Sequence, residues 1–311
     1  MKTRSCLWFM GCVAAVALFL QAPPAAAQTG SWNVNANGNW GTAGSWLGNI
    51  IADGAGNTAW FTNNIDTATR IVTIDGPRTI GHIRLGDNNS SHAFTLTTNA
   101  TGKLILDNGA GFATISMLRG PTTTINSPIE LLSNLIVTNL AAVGTDLIIR
   151  GQISGSGVGL TKSGVGRLIL GATNTYTGAT IVNGGILRLV DPRWLDTSSS
   201  LTLNGGVIEI MTNSMVRTGG FGSGSNQIQI VGGVSGFSFG TNPNGDRSVT
   251  IGAAGSLAQW GSAYFNPSVF VLATTGATTA RILVFDNAID LNGAMRQVET
   301  VTGFEIGRAH V

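Results

Sequence analysis

Short runs with apolar residues two positions apart recur along this chain at an almost constant beat. The pairs are Ile83/Leu85, Leu104/Leu106, Thr123/Ile125, Leu147/Ile149, Leu168/Leu170, Leu187/Leu189, Ile208/Ile210, Ile228/Ile230, Val249/Ile251, Phe270/Leu272 and Ile289/Leu291. Each pair follows the one before at a spacing of about 20 residues, and a unit of that size buries its apolar face only by stacking on its neighbours. This is the pattern of a solenoid. The runs alternate with period two and are separated by Gly, Asn and Thr, so the units are strands and corners rather than helices. The prediction is an all-β chain wound as a parallel β-helix of about eleven rungs, on the order of 50 Å long at one strand spacing per rung.

Alternation assigns the faces. In Arg167-Leu168-Ile169-Leu170 the two leucines point inward, and Arg167 and Ile169 point outward. Aligning the copies puts Arg188 beside Glu209 and Asp146 beside Arg167 on adjacent rungs. As exposed pairs each would contribute about 0–1 kcal/mol, against roughly 1.5–3 kcal/mol for each buried Leu or Ile. Asn183-Gly184-Gly185 recurs one beat later as Asn204-Gly205-Gly206, and both suit corners that need positive φ.

The ends of the chain read differently. Lys2 and Arg4 precede an apolar run from Leu7 to Leu20, then Pro23-Pro24 and Ala25-Ala26-Ala27. This is a secretory leader, residues 1–27, with Ala25 and Ala27 as the small residues of the cleavage site. Cys6 and Cys12 both fall within it, so no disulfide is expected in the mature chain. Without Lys2 and Arg4 the chain holds 15 basic and 15 acidic residues, a balance that offers nothing to nucleic acid. Residues 28–70 carry Trp32, Trp40, Trp46 and Trp60 in a Gly/Asn background. They are expected to cap the open first rung, the alternative being a sugar-stacking platform. The β-helix proper is assigned to 71–304. At the other end, Ile306-Gly307-Arg308-Ala309-His310-Val311 breaks the beat and is the string that a common short-read sequencing adapter encodes before a stop. Residues 305–311 are therefore expected to be non-native, the natural protein continuing beyond about Phe304.

Candidate chemistry is sparse. His82 precedes inward Ile83 and should face outward, and His92 sits in the polar run after Asp87. Asp53, Asp66, Asp75, Asp87 and Asp107 share no register, Asp286 and Asp290 straddle a strand start, and Asp191 and Asp196 flank Pro192. Gly155-Ser156-Gly157-Val158-Gly159 lacks the helix and the Lys-Ser/Thr of a phosphate loop. No catalytic, cofactor or metal residues are assigned. Gly219 to Ser225 and Ala253 to Pro267 are candidates for loops leaving the rod, or for longer corners. Trp260 and Tyr264 in the second are the candidate glycan contacts.

Gly159 to Leu170, then Asn174-Thr175-Tyr176-Thr177-Gly178-Ala179-Thr180 and Gly184-Gly185-Ile186-Leu187, resemble the autotransporter-associated β-strand repeat. That repeat reads roughly GxLTKxGxGxLxLxGxNTYxGxTxVxxGxL. The resemblance implies a right-handed parallel β-helix of the passenger type, secreted or displayed on a bacterial surface as stalk, scaffold or adhesin. It leaves an extracellular glycan or a surface protein as partner, and membrane contact only through a missing C-terminal region. No catalysis is expected. The alternative is a carbohydrate-binding or polysaccharide-degrading β-helix.

Overall fold

A computed structural model describes residues 28–142, 144–196, 199–240, 245–274 and 282–300. The leader with Ala25 and Ala27, and the tail 305–311, lie outside the described residues. The described chain is all-β, with three single-turn 3-10 segments between short strands. Every strand pairing is parallel, and the sheets are stacked side by side rather than closed into a barrel. This is a parallel β-helix.

Each full turn visits three faces. The third face is an unbroken ladder of 11 strands from Gly38–Asn39 to Gln297–Glu299. Its interior column runs Val72, Leu96, Ile125, Ile149, Leu170, Leu189, Ile210 and Phe239 in register, all buried. The second face stacks Ala113–Met117, Leu135–Asn139, Leu160–Ser163, Thr180–Val182, Leu201–Leu203 and Ile228–Ile230. The first face stacks Lys103–Leu106, Ile129–Leu131, Ile153–Gly155 and Thr175–Tyr176. The strand Pro77–Leu85 bends from the first face into the second, pairing with Lys103–Leu106 through its first half and Ala113–Met117 through its second.

The beat in the sequence is therefore not a single column. From Thr123/Ile125 to Ile208/Ile210 the apolar pairs do follow one another on the third face. Ile83/Leu85 belongs to the second face and Leu104/Leu106 to the first. Ile228/Ile230 is again on the second face. The true rungs of the third face are uneven. The turn from Leu96 to Ile125 is longer than those from Val72 to Leu96 and from Ile125 to Ile149. The turns from Ile210 to Phe239 and from Phe239 to Thr274 lengthen again. All three faces use the same in-out-in strand, so a lengthened corner lets the count pass to another face without breaking the beat.

The tight corners rely on glycine where adjacent rungs touch. Gly164 (φ 78°) and Gly185 (φ 61°) are stacked, and a Cβ on Gly185 would lie 2.6 Å from the carbonyl oxygens of Gly164 and Gly166. Any side chain there would force the rungs apart.

At the N-terminal end Trp32, Trp40 and Trp46 are buried, with Phe61 in contact with all three at 5.2–6.0 Å between ring centroids. Their indole N–H groups donate to the carbonyls of Val34, Ala52 and Trp40. They cover the first rungs, and a sugar platform is excluded for these three because their faces are used inside. Trp60, on the outward side of its strand, keeps 36% exposure.

Candidate functional site

The two aromatic residues singled out for glycan contact separate. Trp260 is 1% exposed. Its N–H donates to Pro267 O at 3.0 Å, and its ring packs on Phe265 and Phe270 at 5.3 and 6.3 Å. A sugar cannot stack on a ring whose faces are already covered, so Trp260 is a core residue. The segment Ala253 to Pro267, open to being a loop or a longer corner, takes the second form: Leu257–Gln259 pairs with Ala288–Asp290 and returns it to the rod. Tyr264, next to buried Phe265, remains 40% exposed. The GGFGSGS stretch is likewise a corner: Gly222 N donates to Ile228 O, and the Phe221 ring packs on Phe265 at 5.6 Å.

The acidic residues do not converge. Asp53 and Asp75 share Arg78 at 3.4 and 2.9 Å. Asp87 is buried, which by itself would raise its pKa. The backbone N–H groups of Ile65, Ser91 and His92 donate to its carboxylate and hold it below the usual range. Asp191 binds Arg193, which lowers its pKa, and it caps the turn Pro192–Trp194. Asp286 accepts from Thr250 Oγ1, and Asp290 from Gln259 Nε2. Among the described residues no three His, Cys, Asp or Glu side chains are grouped to hold a metal ion. His82 faces outward and bonds to Thr114 at 2.9 Å, while burial and nearby Arg84 depress its pKa.

The charged pairs fall where alternation places them, with one correction. Arg167 binds both carboxylate oxygens of Asp146 at 2.8 and 2.9 Å. Arg188 hydrogen-bonds to Glu209, and Arg167 reaches the same oxygen at 3.5 Å. Glu209 is not an exposed partner, however: its side chain is 0% accessible. Two guanidinium groups crowd it, and such a desolvated carboxylate depends on them far more than a surface pair would.

One charged residue has a role that the sequence reading left open. Lys162 occupies the interior column of the second face between Val137 and Val182. Its Nζ donates to the carbonyls of Ser163, Gly164 and Gly184 at 2.8, 2.8 and 3.1 Å. All three ammonium protons are thereby used, tying two stacked corners together. Burial pushes the amine down to about 8. Alternation from inward Leu160 was the signal that could have placed it inside.

The first face is interrupted beyond Thr175–Tyr176. In the next turn Pro192–Trp194 forms a 3-10 turn instead of a strand, and the ladder resumes only at Met215–Arg217, which pairs forward with Arg247–Ile251. A cavity of about 240 Å³ opens between the two, lined by Pro192, Arg193 and Leu195 on one side and residues 214–217 on the other. Arg217 is 3% exposed. A second hollow, of about 440 Å³, lies between Leu118–Pro121 and Leu140–Ala142. Its one charged side chain, Arg119, binds Asn88.

With this geometry in place, the comparison with protein families is decisive for one rung and a half. Residues 160–189 match the model described as the passenger-associated-transport-repeat. The chain carries that repeat. It runs from the second-face strand Leu160–Ser163 to the end of the third-face strand Gly185–Leu189, and so contains Lys162, the stacked Gly164/Gly185 corner and buried Tyr176. A passenger-type repeat embedded in a parallel β-helix supports an autotransporter passenger repeat protein. No curated protein and no solved structure matches the chain. No helix among the described residues is long and apolar enough to cross a membrane.

Proposed function

We propose that this protein is a non-catalytic extracellular β-helix, exported by its leader and serving a bacterial surface as stalk, scaffold or adhesin. The observation that carries this reading is the passenger-associated-transport-repeat built into one continuous 11-stranded ladder. The shape suits a spacer, because each rung adds length while contacting only its neighbours. The acidic residues support the same reading, since each one placed above is engaged by a neighbouring side chain or backbone N–H. The partner is an extracellular glycan or another surface protein, met on the outward side chains and corners.

Expression of the whole chain in a bacterial host, followed by fractionation and mass spectrometry, tests the export. The expected product begins at Gln28 and is found outside the cytoplasm. A cytoplasmic product that keeps Met1 overturns the reading. Incubation with pectin, alginate and cellulose tests the absence of catalysis, and release of new reducing ends or unsaturated sugars would overturn it.

A further inference from the structure

Trp60 is the tryptophan of the N-terminal segment that the cap does not use. The indole N–H groups of Trp32, Trp40 and Trp46 all donate to carbonyls, whereas Trp60 is 36% exposed. Among the described residues no aromatic ring or cation packs on it, and its indole N–H has no partner. Its register partner on the next rung is Arg84, about 4.8 Å away along the sheet. Nη1 of Arg84 donates to Ser116 Oγ at 2.7 Å. Nε and Nη2 make no hydrogen bond or ion pair among the described residues, and neither is buried. Those two atoms form the edge with which Arg167 grips both oxygens of Asp146. At Arg84 the same edge is open. No acid of its own face compensates it: none of the outward side chains of the second face, from Thr58 to Gln229, is acidic. The other faces do carry outward acids, Glu130 on the first and Asp146 on the third. Burial and Arg84 depress the pKa of His82, so near neutral pH Arg84 is the cation of this face.

We propose that this end of the second face binds a uronate-bearing polysaccharide, one sugar ring stacking on Trp60 while its carboxylate accepts from Nε and Nη2 of Arg84. An exposed indole offers the sugar an apolar face. The open guanidinium edge matches a carboxylate in planar, bidentate geometry. Beyond Arg84 the column continues as Ser116, Thr138 and Ser163, whose hydroxyls both donate and accept, as those of a sugar chain do. A protein partner fits less well, because Ile136 and Ile181 are the only aliphatic outward side chains described here, too few for an apolar interface core. The proposal rests on the extracellular reading above and specifies its glycan.

Calorimetric titration of the whole chain with hexagalacturonate, its neutral methyl ester and hexaglutamate tests the proposal. Hexagalacturonate binds. The ester lacks the charge and hexaglutamate lacks the sugar ring, so both bind far more weakly. Trp60→Ala and Arg84→Gln, both on the outward side of their strands, each lower the affinity by about tenfold to a hundredfold. Thr138→Asp sets a repelling charge two rungs along and lowers it as well, even if one of the other variants folds poorly. Thr124→Asp, outward on the third face, leaves it unchanged. Absence of hexagalacturonate binding overturns the proposal. So does equal binding of the ester or of hexaglutamate, or an affinity unchanged by any of the first three substitutions. Such a failure in an exported chain leaves the extracellular reading standing, because only a cytoplasmic product or a catalytic one bears on that.

Discussion

The middle rungs and the end rungs of this β-helix solve the same packing problem differently. Between Thr123 and Ile210 the third-face strands follow one another through short corners and enclose an aliphatic interior of Leu147, Ile149, Leu168, Leu170, Leu187, Leu189 and Ile208. Toward the C-terminal side the longer turns, from Ile210 to Phe239 and on to Thr274, bring in Phe237, Phe239, Trp260, Phe265 and Phe270, all buried. The N-terminal rungs fill with Trp32, Trp40, Trp46 and Phe61. Longer corners widen the cross-section, and close packing then demands larger side chains. Neighbouring strands stay in register along the third face, so the rung length changes there without interrupting the ladder.

The comparison can be broken most severely from its middle. Leu168→Asp buries a charge among aliphatic side chains with no partner and should prevent folding, read as loss of the β-type circular dichroism signal. A variant that still melts cooperatively near the wild-type temperature would refute the interior column. At the aromatic end, Trp40→Ala should cost about 3–5 kcal/mol. The loss should be local: hydrogen exchange speeds up over the first rungs while Leu160–Ser163 stays protected. Uniform loss along the rod would mean that the end and the middle are one cooperative block.

Lys162 and Tyr176 sharpen the comparison through pH, because both lie in the middle rungs. The folded Lys162 amine titrates at about 8 against 10.5 when free. The unfolded chain thus holds the proton longer, and stability rises between those values. The gain is on the order of 3 kcal/mol. Tyr176, buried against Thr180, is pushed up to about 12 from 10.0. The unfolded chain ionises first, so stability falls as the pH climbs between those two values. Denaturant melts across the alkaline range should therefore peak where the lysine's rise gives way to the tyrosine's fall, and Lys162→Met should remove the rising limb. Arg188→Met, which takes one guanidinium from buried Glu209, should cost about 1.5–3 kcal/mol, more than an exposed pair would. Tyr264→Ala should stay within about 0.5 kcal/mol, as for other surface positions.

Much of this molecule was legible in the chain because strand alternation is local. Asp146 opposite Arg167 and Arg188 opposite Glu209 followed from counting in twos, as did the equivalence of Gly185 and Gly206. The face of each outer pair was not legible, since a lengthened corner leaves no mark on the alternation itself. The burial of Glu209 was also hidden, because the register states which residues are adjacent but not how much water they exclude. Trp260 misled for a related reason: a tryptophan in a segment that leaves the beat looks exposed until the segment folds back.

The sequence by itself determined the architecture. Period-two apolar runs with glycine corners can bury their inward side chains only by stacking, and the passenger-type repeat is written plainly in one rung and a half. Only the tertiary structure decided which strands share a face, where the rungs widen, that Lys162 and Arg217 point inward, and that the first face is interrupted at Pro192–Trp194. Those features arise from the closure of each turn against the next. The contacts concerned join residues far apart in the chain, and their partners are set by corner length rather than by any local pattern.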